Sequence, residues 1–337
     1  MGERWAIASA LAYTIVNITL RVAAPHIDPF LGSFVRLLPL AALSWLVVLR
    51  SGAREVRPSH AAFLSWRLIG YLLAGGAASL IIGNVFYFQA LTNGGLGITI
   101  GGVQAGSILG GLWLGLLLNR DRPTTAQLAA AVLIVAGLAG IAIAQTQQFG
   151  DLWWLGLAFA IGAGTTYALA NVFSRTVQRE RPLLFVSQAV SMVGGGVPLA
   201  LILVGRVAAG ESIPIDGGSV AAVLLAGCFN AVALLTLTLA VRAATVATVN
   251  TIGSSTVVLS FIASVTLFGE TSSAPMVAGI ALVTVGIVVA QLRRRASRGS
   301  ATALPEAATA EPAATEPSAA PEPAVTATEP ASPPAAR

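Results

Sequence analysis

The sequence predicts an all-α membrane protein, with ten transmembrane helices as two inverted five-helix repeats and a disordered C-terminal tail. Three observations predict this fold: an apolar composition, a series of apolar stretches of membrane-spanning length, and a match between the two halves of the chain. Of 337 residues, 55% are hydrophobic and 10% are charged, with a mean hydropathy of +0.81. Soluble domains carry about 25% charged residues. The composition therefore excludes a soluble enzyme and a nucleic-acid binder.

Ten apolar stretches are long enough to cross a bilayer, which takes about 20 residues. They lie at residues 5–24, 30–49, 68–92, 97–118, 125–144, 152–174, 183–205, 219–241, 246–268 and 274–292. Runs such as residues 128–143 lack the alternating polarity of a transmembrane β-strand. Turn-forming triplets such as Asn93-Gly94-Gly95 separate neighbouring stretches. The stretches are therefore predicted to be helices that cross the membrane in alternating directions.

The positions of the basic residues predict the orientation. All 19 of them are arginines. If the N-terminus is cytoplasmic, 15 arginines lie at cytoplasmic ends of the spans, and only Arg21 and Arg206 lie at outer ends. Cytoplasmic loops of membrane proteins carry an excess of Lys and Arg. We therefore expect a multi-pass protein of the plasma membrane, the inner membrane in a bacterium, with both termini cytoplasmic.

The second half of the chain matches the first. With a shift of 150 residues, spans four and five lie over spans nine and ten. With a shift of 154, span one lies over span six, and the pattern Tyr-x3-Asn-x3-Arg occurs in both. Its residues are Tyr13, Asn17 and Arg21 in the first half, and Tyr167, Asn171 and Arg175 in the second. Because each half has an odd number of spans, the two repeats must cross the membrane in opposite senses.

This organisation predicts three segments. Residues 1–146 form the first repeat, residues 147–292 form the second, and residues 293–337 form a cytoplasmic tail. The tail consists mainly of Ala, Pro, Glu and Thr. It has too few large apolar side chains to build a core, so we expect it to be disordered.

Two motifs resemble those of a known family. Phe34-Val35-Arg36-Leu37-Leu38 is similar to the pattern F-x-R-F-L, and Leu267-Phe268-Gly269-Glu270-Thr271 to L-F-G-E-x. Together with ten spans, they resemble the EamA-type members of the drug/metabolite transporter superfamily. The first half departs from the pattern, because residues 118–123 stand where Gly-Glu is usual. The resemblance implies two five-helix repeats and export of small metabolites, often amino acids, and in some branches sugars or nucleotide-linked compounds.

Arg36 is the ionisable residue placed within a predicted span. It follows Pro29 by seven residues, which places it about 10 Å from the outer end at 1.5 Å per residue. A guanidinium there fits a clamp for a carboxylate or a phosphate. Alternatively, the side chain reaches the outer interface, or pairs with Asp28 or with backbone carbonyls.

Neutral polar side chains supply the other candidates. The resemblance implies that spans one, three, four, six, eight and nine face a cavity. The substrate-binding candidates are therefore Tyr13, Asn17, Arg36, Tyr87, Gln104, Tyr167 and Asn171. The wider polar set within the spans includes Asn84, Gln188 and Asn230. Each such residue has a structural alternative, a hydrogen bond between helices.

Acidic residues occur only in loops or at span ends, and Glu270 is expected to cap its own short turn at the outer face. The alternative is that Glu270 is a counter-ion for Arg21 or Arg36, which the spacing does not support. The chain has no nucleotide-binding, hydrolase or metal motif, so we expect neither an enzyme nor a cofactor or metal. The expected partners are a small-molecule substrate and the lipid bilayer, without nucleic acid, and a homodimer is compatible with the pattern.

The predicted function is a secondary transporter, not driven by ATP, that exports a small polar metabolite, in first place an amino acid, by alternating access. One alternative is an uptake facilitator for a similar, a phosphorylated or a sugar solute. The other is a membrane receptor or scaffold that transports nothing.

Overall fold

The computed structural model describes residues 2–52, 63–119, 124–145, 153–180, 183–243, 249, 252–270 and 273–292, and no strand occurs among them. Its helices are α1 (Gly2–Ala23), α2 (Pro29–Ser51), α3 (Trp66–Gly76), α4 (Asn84–Asn119), α5 (Thr125–Gln145), α6 (Trp153–Glu180), α7 (Leu184–Ala208), α8 (Gly217–Ala243), α9 (Ser255–Phe268) and α10 (Ala274–Leu292). The all-α prediction is therefore confirmed for these residues. The predicted repeat boundary at residue 146 and the predicted tail at residues 293–337 lie outside them.

Among the residues that the structure describes, six helical segments are long and apolar enough to cross a membrane, and α5, α9 and α10 contain shorter apolar stretches. One of the six, Trp66–Leu114, has 49 residues. At 1.5 Å per residue it is more than twice as long as a bilayer core of about 30 Å requires. It breaks at Gly95, where φ is 72°. A left-handed φ of this kind suits glycine, so the turn predicted at residues 93–95 is confirmed. The count of ten spans stays a prediction.

The chain reverses direction at this break, as the neighbours along α6 demonstrate. The pairs in contact are, in chain order, Gly75 with Ala170, Gly83 with Thr166, Gly102 with Ala160, and Gly110 with Thr165. As the chain advances toward Gly95, the α6 residues that it contacts have decreasing numbers, and after Gly95 they have increasing numbers. The first arm, residues 66–94, therefore runs antiparallel to α6, and the second arm, residues 96–119, runs parallel to it.

Glycines let the second arm of α4 approach α6 closely. A Cβ atom on Gly106 would lie 2.2 Å from the carbonyl oxygen of Ile161, whereas one on Gly111 would meet nothing within 4 Å. Small residues allow membrane helices to pack backbone against backbone, where dispersion and weak polar contacts hold them together. Gly106 thus belongs to a helix–helix contact, and Gly111 does not.

The two repeats interlock. Helix α1 packs on α8, and its repeat counterpart α6 packs on α3 and α4; α2 packs on α7, and α5 on α10. These contacts are reciprocal, as two repeats related by an inverted symmetry require. Most packing surfaces of one repeat are therefore completed by the other. In the predicted orientation, the end of the bundle near Arg21 is the outer end, and the opposite end is the inner end.

A buried ion pair holds the helix break at the outer end. The Glu270 carboxylate accepts hydrogen bonds from the backbone N–H groups of Leu96 (2.7 Å) and Gly97 (3.1 Å), and it lies 3.5 Å from Nε of Arg21. Arg21 also donates to the carbonyl of Leu91. Glu270 is only 3% exposed. The carboxylate therefore caps the start of the second arm of α4 and is the counter-ion of Arg21, which is the alternative to the predicted cap of its own turn.

A second charge cluster joins α2 and α7 at the same end. Arg206 donates from Nη1 to Oδ2 of Asp28 (2.9 Å) and from Nε to Oε2 of Glu211 (2.7 Å). The hydrogen bonds from Arg206 lower the pKa of Glu211, which lies outside the spans. Asp28 also caps the first turn of α2 through its other oxygen. In this structure Asp28 thus pairs with Arg206, not with Arg36 as in the alternative left open by the sequence.

Candidate functional site

A cavity of about 340 Å³ lies between the two repeats, with lining residues from α1, α2, α3, α4, α6, α7 and α8. Small-molecule sites in proteins range from about 300 to 1,000 Å³. Four of the seven predicted binding residues line it: Tyr13, Arg36, Tyr167 and Asn171. The apolar part of its wall consists of Leu37, Leu40, Leu72, Leu80, Met192 and Leu234. The cavity thus has polar and apolar surface.

Arg36 is half-buried in the wall of the cavity. Its Nη1 donates to Oδ1 of Asn84 at 3.3 Å, and its guanidinium carbon lies 5.4 Å from the ring centre of Tyr87. Both contacts hold the cation, by a hydrogen bond and by cation–π attraction, without bringing a negative charge to it. Neither contact therefore offsets the positive charge of the guanidinium.

Asn84 connects the two repeats at this point. Its Oδ1 also accepts a hydrogen bond from the hydroxyl of Tyr167 at 2.7 Å. The residue is 4% exposed and directly follows Ala77–Gly83, a seven-residue π-helical segment between α3 and α4. Such segments are rare and occur frequently at functional sites, because they change the rotational position of the side chains that follow. One amide oxygen thus links Arg36 of the first repeat to Tyr167 of the second.

Two predicted residues lie beyond the cavity lining, toward the outer end. The Tyr87 hydroxyl donates to Oδ1 of Asn17 at 2.8 Å, and Nδ2 of Asn17 donates to Oγ of Ser260 at 3.0 Å. We call Asn17, Tyr87 and Ser260 the outer layer. Asn17 is 8% and Tyr87 4% exposed, and neither is part of the cavity lining. Their polar groups therefore satisfy one another behind the Arg36 guanidinium.

The remaining prediction, Gln104, lies away from the cavity. It is half-buried on the second arm of α4, between Gly102 and Gly106, both of which contact α6. This stretch of helix is thus part of the close contact between α4 and α6. The structure does not bring Gln104 together with the other predicted residues.

The two ends of the cavity differ in their polar residues. Tyr13 and Tyr167, which are equivalent in the repeat, both line it. Their partners one helical turn later differ, because Asn17 is buried in the outer layer, whereas Asn171 is exposed and lines the cavity. Since α1 and α6 run antiparallel, Asn171 lies toward the end opposite to Asn17, which is the inner end in the predicted orientation. The cavity therefore extends to the exposed Asn171 but not to the buried Asn17.

The comparison with known families identifies the chain. The model of the EamA-like transporter family matches residues 1–143 and again residues 154–291. The chain belongs to the EamA-like transporter family. The two matches confirm the family resemblance and the presence of two repeats. The protein is thus a multi-pass membrane transporter of the drug/metabolite type.

Solved structures agree with this fold. Nineteen chains match the EamA-like transporter in structure. One of them, a crystal structure titled only as that of a protein, superposes with a TM-score of 0.55 at 18% identity, over 88% of this chain and 98% of its own. At that identity, the likeness concerns the fold alone. No curated protein is similar enough in sequence to count as a match.

Several residues that line the transporter's cavity were not among the predicted site residues. They are Tyr71, Asn84, Ser174, Gln188, Ser191 and Asn230. One signal was available for Ser174, which follows Asn171 by three residues and so shares its helix face. The repeat offered another signal, because equivalent positions line the cavity in both halves. The lining residues Asn230 and Leu234 lie 150 residues after the lining residues Leu80 and Asn84. At these two pairs of equivalent positions, each repeat has one amide and one leucine, but the amides lie at different helical turns.

The described lining of the cavity contains one cation, Arg36, and no acidic side chain. Among the described residues, no group of three or more His, Cys, Asp or Glu side chains could hold a metal ion. The acidic groups that form ion pairs in this part of the chain do so with Arg21 and Arg206. The cavity of the EamA-like transporter thus presents a net positive charge to a solute.

Proposed function

We propose that this EamA-like transporter exports a small polar metabolite that carries a carboxylate, in first place an amino acid, by alternating access across the inner membrane. The observation that carries the proposal is the Arg36 guanidinium, which faces a cavity of metabolite size with only neutral partners. A planar guanidinium binds a carboxylate through two parallel hydrogen bonds, so it both attracts and orients an acid.

The composition of the rest of the wall supports a solute of this kind. Hydroxyl and amide groups such as those of Tyr13, Asn171 and Gln188 can hydrogen-bond the polar part of an amino acid. The leucine and methionine side chains of the wall can accept an apolar side chain. A lipophilic cation fits less well, because the described wall offers it no counter-charge.

The difference between Asn17 and Asn171 supports alternating access. The two residues are equivalent in the inverted repeat, but one is sealed and the other is open to the cavity. An inverted repeat has a second conformation in which the two halves exchange roles. In that conformation, Asn17 would line the cavity and Asn171 would be covered, and a solute bound near Arg36 would face the outer end.

The test is flux of labelled amino acids through proteoliposomes that contain the full chain. Arg36→Ala should reduce saturable flux about 10- to 100-fold, because a hydrogen bond to a charged group is worth about 1.5–3 kcal/mol. The matched control is Arg50→Ala, which removes an exposed arginine from the end of the same helix and should leave flux unchanged. Vesicles that carry the protein in one orientation establish whether net movement is outward.

Each alternative has its own outcome. Flux that is saturable but inward indicates the uptake facilitator. Flux of phosphorylated or sugar solutes without amino acid flux would overturn the proposed substrate but keep the carrier. No flux for any of these solutes would favour the receptor or scaffold. Unchanged flux in Arg36→Ala, with the protein folded, would exclude Arg36 as a ligand for the solute.

A further inference from the structure

The partner of Arg36 is an amide, at a position where a carboxylate would have similar size and shape. Asn84 Oδ1 lies 3.3 Å from Arg36 Nη1 and accepts a second hydrogen bond from Tyr167. Aspartate differs from asparagine only in having an oxygen in place of the NH2 group, so it could form the same two hydrogen bonds. The difference between the two side chains at this position is therefore one of charge.

The fold holds Asn84 firmly in this role. It is 4% exposed, and the π-helical segment Ala77–Gly83 ends directly before it. Tyr87, three residues later and on the same helix face, places its ring against the same guanidinium. Asn84 and Tyr87 thus position Arg36 from one helix, by two contacts that leave its charge unbalanced.

Two arginines elsewhere in the described part of the chain have acidic side chains that balance their charge. Arg21 pairs with Glu270 at 3.5 Å, and Arg206 pairs with Asp28 and Glu211. A buried charge is costly unless it is compensated. Arg36, with a neutral amide and an aromatic ring as its contacts, leaves that compensation to a solute in the cavity.

We infer that Asn84 determines the charge of the solute that the cavity accepts, because it positions Arg36 by a hydrogen bond and leaves its charge free for the solute's carboxylate. The inference rests on the proposed function and adds a specificity-determining residue to it. An aspartate at this position would pair with Arg36 and cancel the charge of the site. The cavity would then favour a solute in which the carboxylate is replaced by an uncharged group.

The experiment measures equilibrium binding to the purified full-length protein. The probes are the standard amino acids, each paired with its carboxamide, which replaces the carboxylate by a neutral amide. For the wild-type protein, the best-bound amino acid should bind at least tenfold more tightly than its carboxamide. In Asn84→Asp, the affinity for the amino acid should fall at least tenfold, and the carboxamide should bind as tightly or more tightly.

Two further variants separate charge from packing. Asn84→Ala removes the hydrogen bond without adding charge, so affinity should fall while the amino acid remains preferred over its carboxamide. Gln89→Glu adds the same charge to the same helix outside the cavity lining, and it should leave the preference unchanged. A role in folding alone would not reverse a preference between two probes.

The inference is overturned if Asn84→Asp keeps the wild-type preference, or if Asn84→Ala reverses it in the same way. It is also overturned if the wild-type protein binds no amino acid in preference to its carboxamide. Flux is measured separately in proteoliposomes. Selective binding without flux would contradict the proposed transport but support the role of Asn84, so the two failures are distinguishable.

Discussion

Replacing Glu270 with glutamine tests whether its buried ion pair stabilises the helix break at Gly95. The substitution keeps the size of the side chain and removes its charge. One amide oxygen remains to accept a hydrogen bond from Leu96 or Gly97, but the NH2 group cannot accept the other. The Arg21 guanidinium then lacks its counter-charge, with a side chain only 16% exposed.

The distances give the size of the effect. Two unit charges 3.5 Å apart attract by about 5 kcal/mol at an effective dielectric constant of about 20. Part of this attraction is offset by the cost of removing both charges from water, and deleting one partner of a buried pair typically costs about 3–5 kcal/mol. We therefore expect Glu270→Gln to lower the free energy of unfolding by about 3–5 kcal/mol.

The double variant Arg21→Gln/Glu270→Gln provides the decisive comparison. It has no uncompensated charge, so it should be more stable than Glu270→Gln alone. Unfolding is followed in mixed micelles as the fraction of denaturing detergent rises. The unfolding free energies of the wild type, Arg21→Gln, Glu270→Gln and the double variant form a double-mutant cycle. The control is Glu211→Gln, which removes an exposed partner of Arg206 and should cost at most about 1 kcal/mol. Single-variant effects that simply add in the double variant would refute the coupling.

Two more substitutions test the helix contact and the outer layer. Gly106→Ala places a methyl group against a backbone carbonyl and should destabilise the protein by about 1–3 kcal/mol in the same unfolding assay. The control Gly111→Ala places its methyl group in free space, so it should be neutral or slightly stabilising. Equal effects of the two substitutions would contradict the assigned contact. Tyr87→Phe removes one hydrogen bond from the outer layer, worth about 1 kcal/mol. The rate is measured with a thiol reagent added on the outer side, on the variant Tyr13→Cys in a Cys228→Ser background. Adding Tyr87→Phe to this variant should raise the rate at position 13 about fivefold. An unchanged rate would argue that the outer layer does not block access from that side.

Much of the fold could be predicted because its signals are local in the sequence. Hydropathy over about 20 residues marks the spans, and the glycine pair at residues 94 and 95 marks the reversal between two of them. The repeat is visible as a constant shift between the two halves. The candidate site was partly accessible in the same way, since Tyr13, Tyr167 and Asn171 belong to a repeated polar face and Arg36 stands out as a charge within a span.

The predicted residues that lie outside the cavity lining share one physical reason, which is that their partners are distant in the chain. Asn17 is buried by a tyrosine 70 residues away and a serine 243 residues away. The sequence places Asn17 and Asn171 on equivalent faces. Only the packing of α4 and α9 over one of them makes the faces different. Gln104 likewise has a polar side chain typical of a cavity, but the close approach of α4 to α6 decides its surroundings.

The amino-acid sequence by itself determined the membrane environment, the helical spans, their repeat and the presence of a charge in the wall, because each follows from the composition or spacing of neighbouring residues. The tertiary structure decided which partner each charge has. It placed Glu270 against Arg21 and left Asn84 as the neutral partner of Arg36. Such pairings depend on atoms brought within about 3.5 Å across the bundle. Separations of that kind are set by helix packing and by a π-helical segment, which the hydropathy of the chain does not encode.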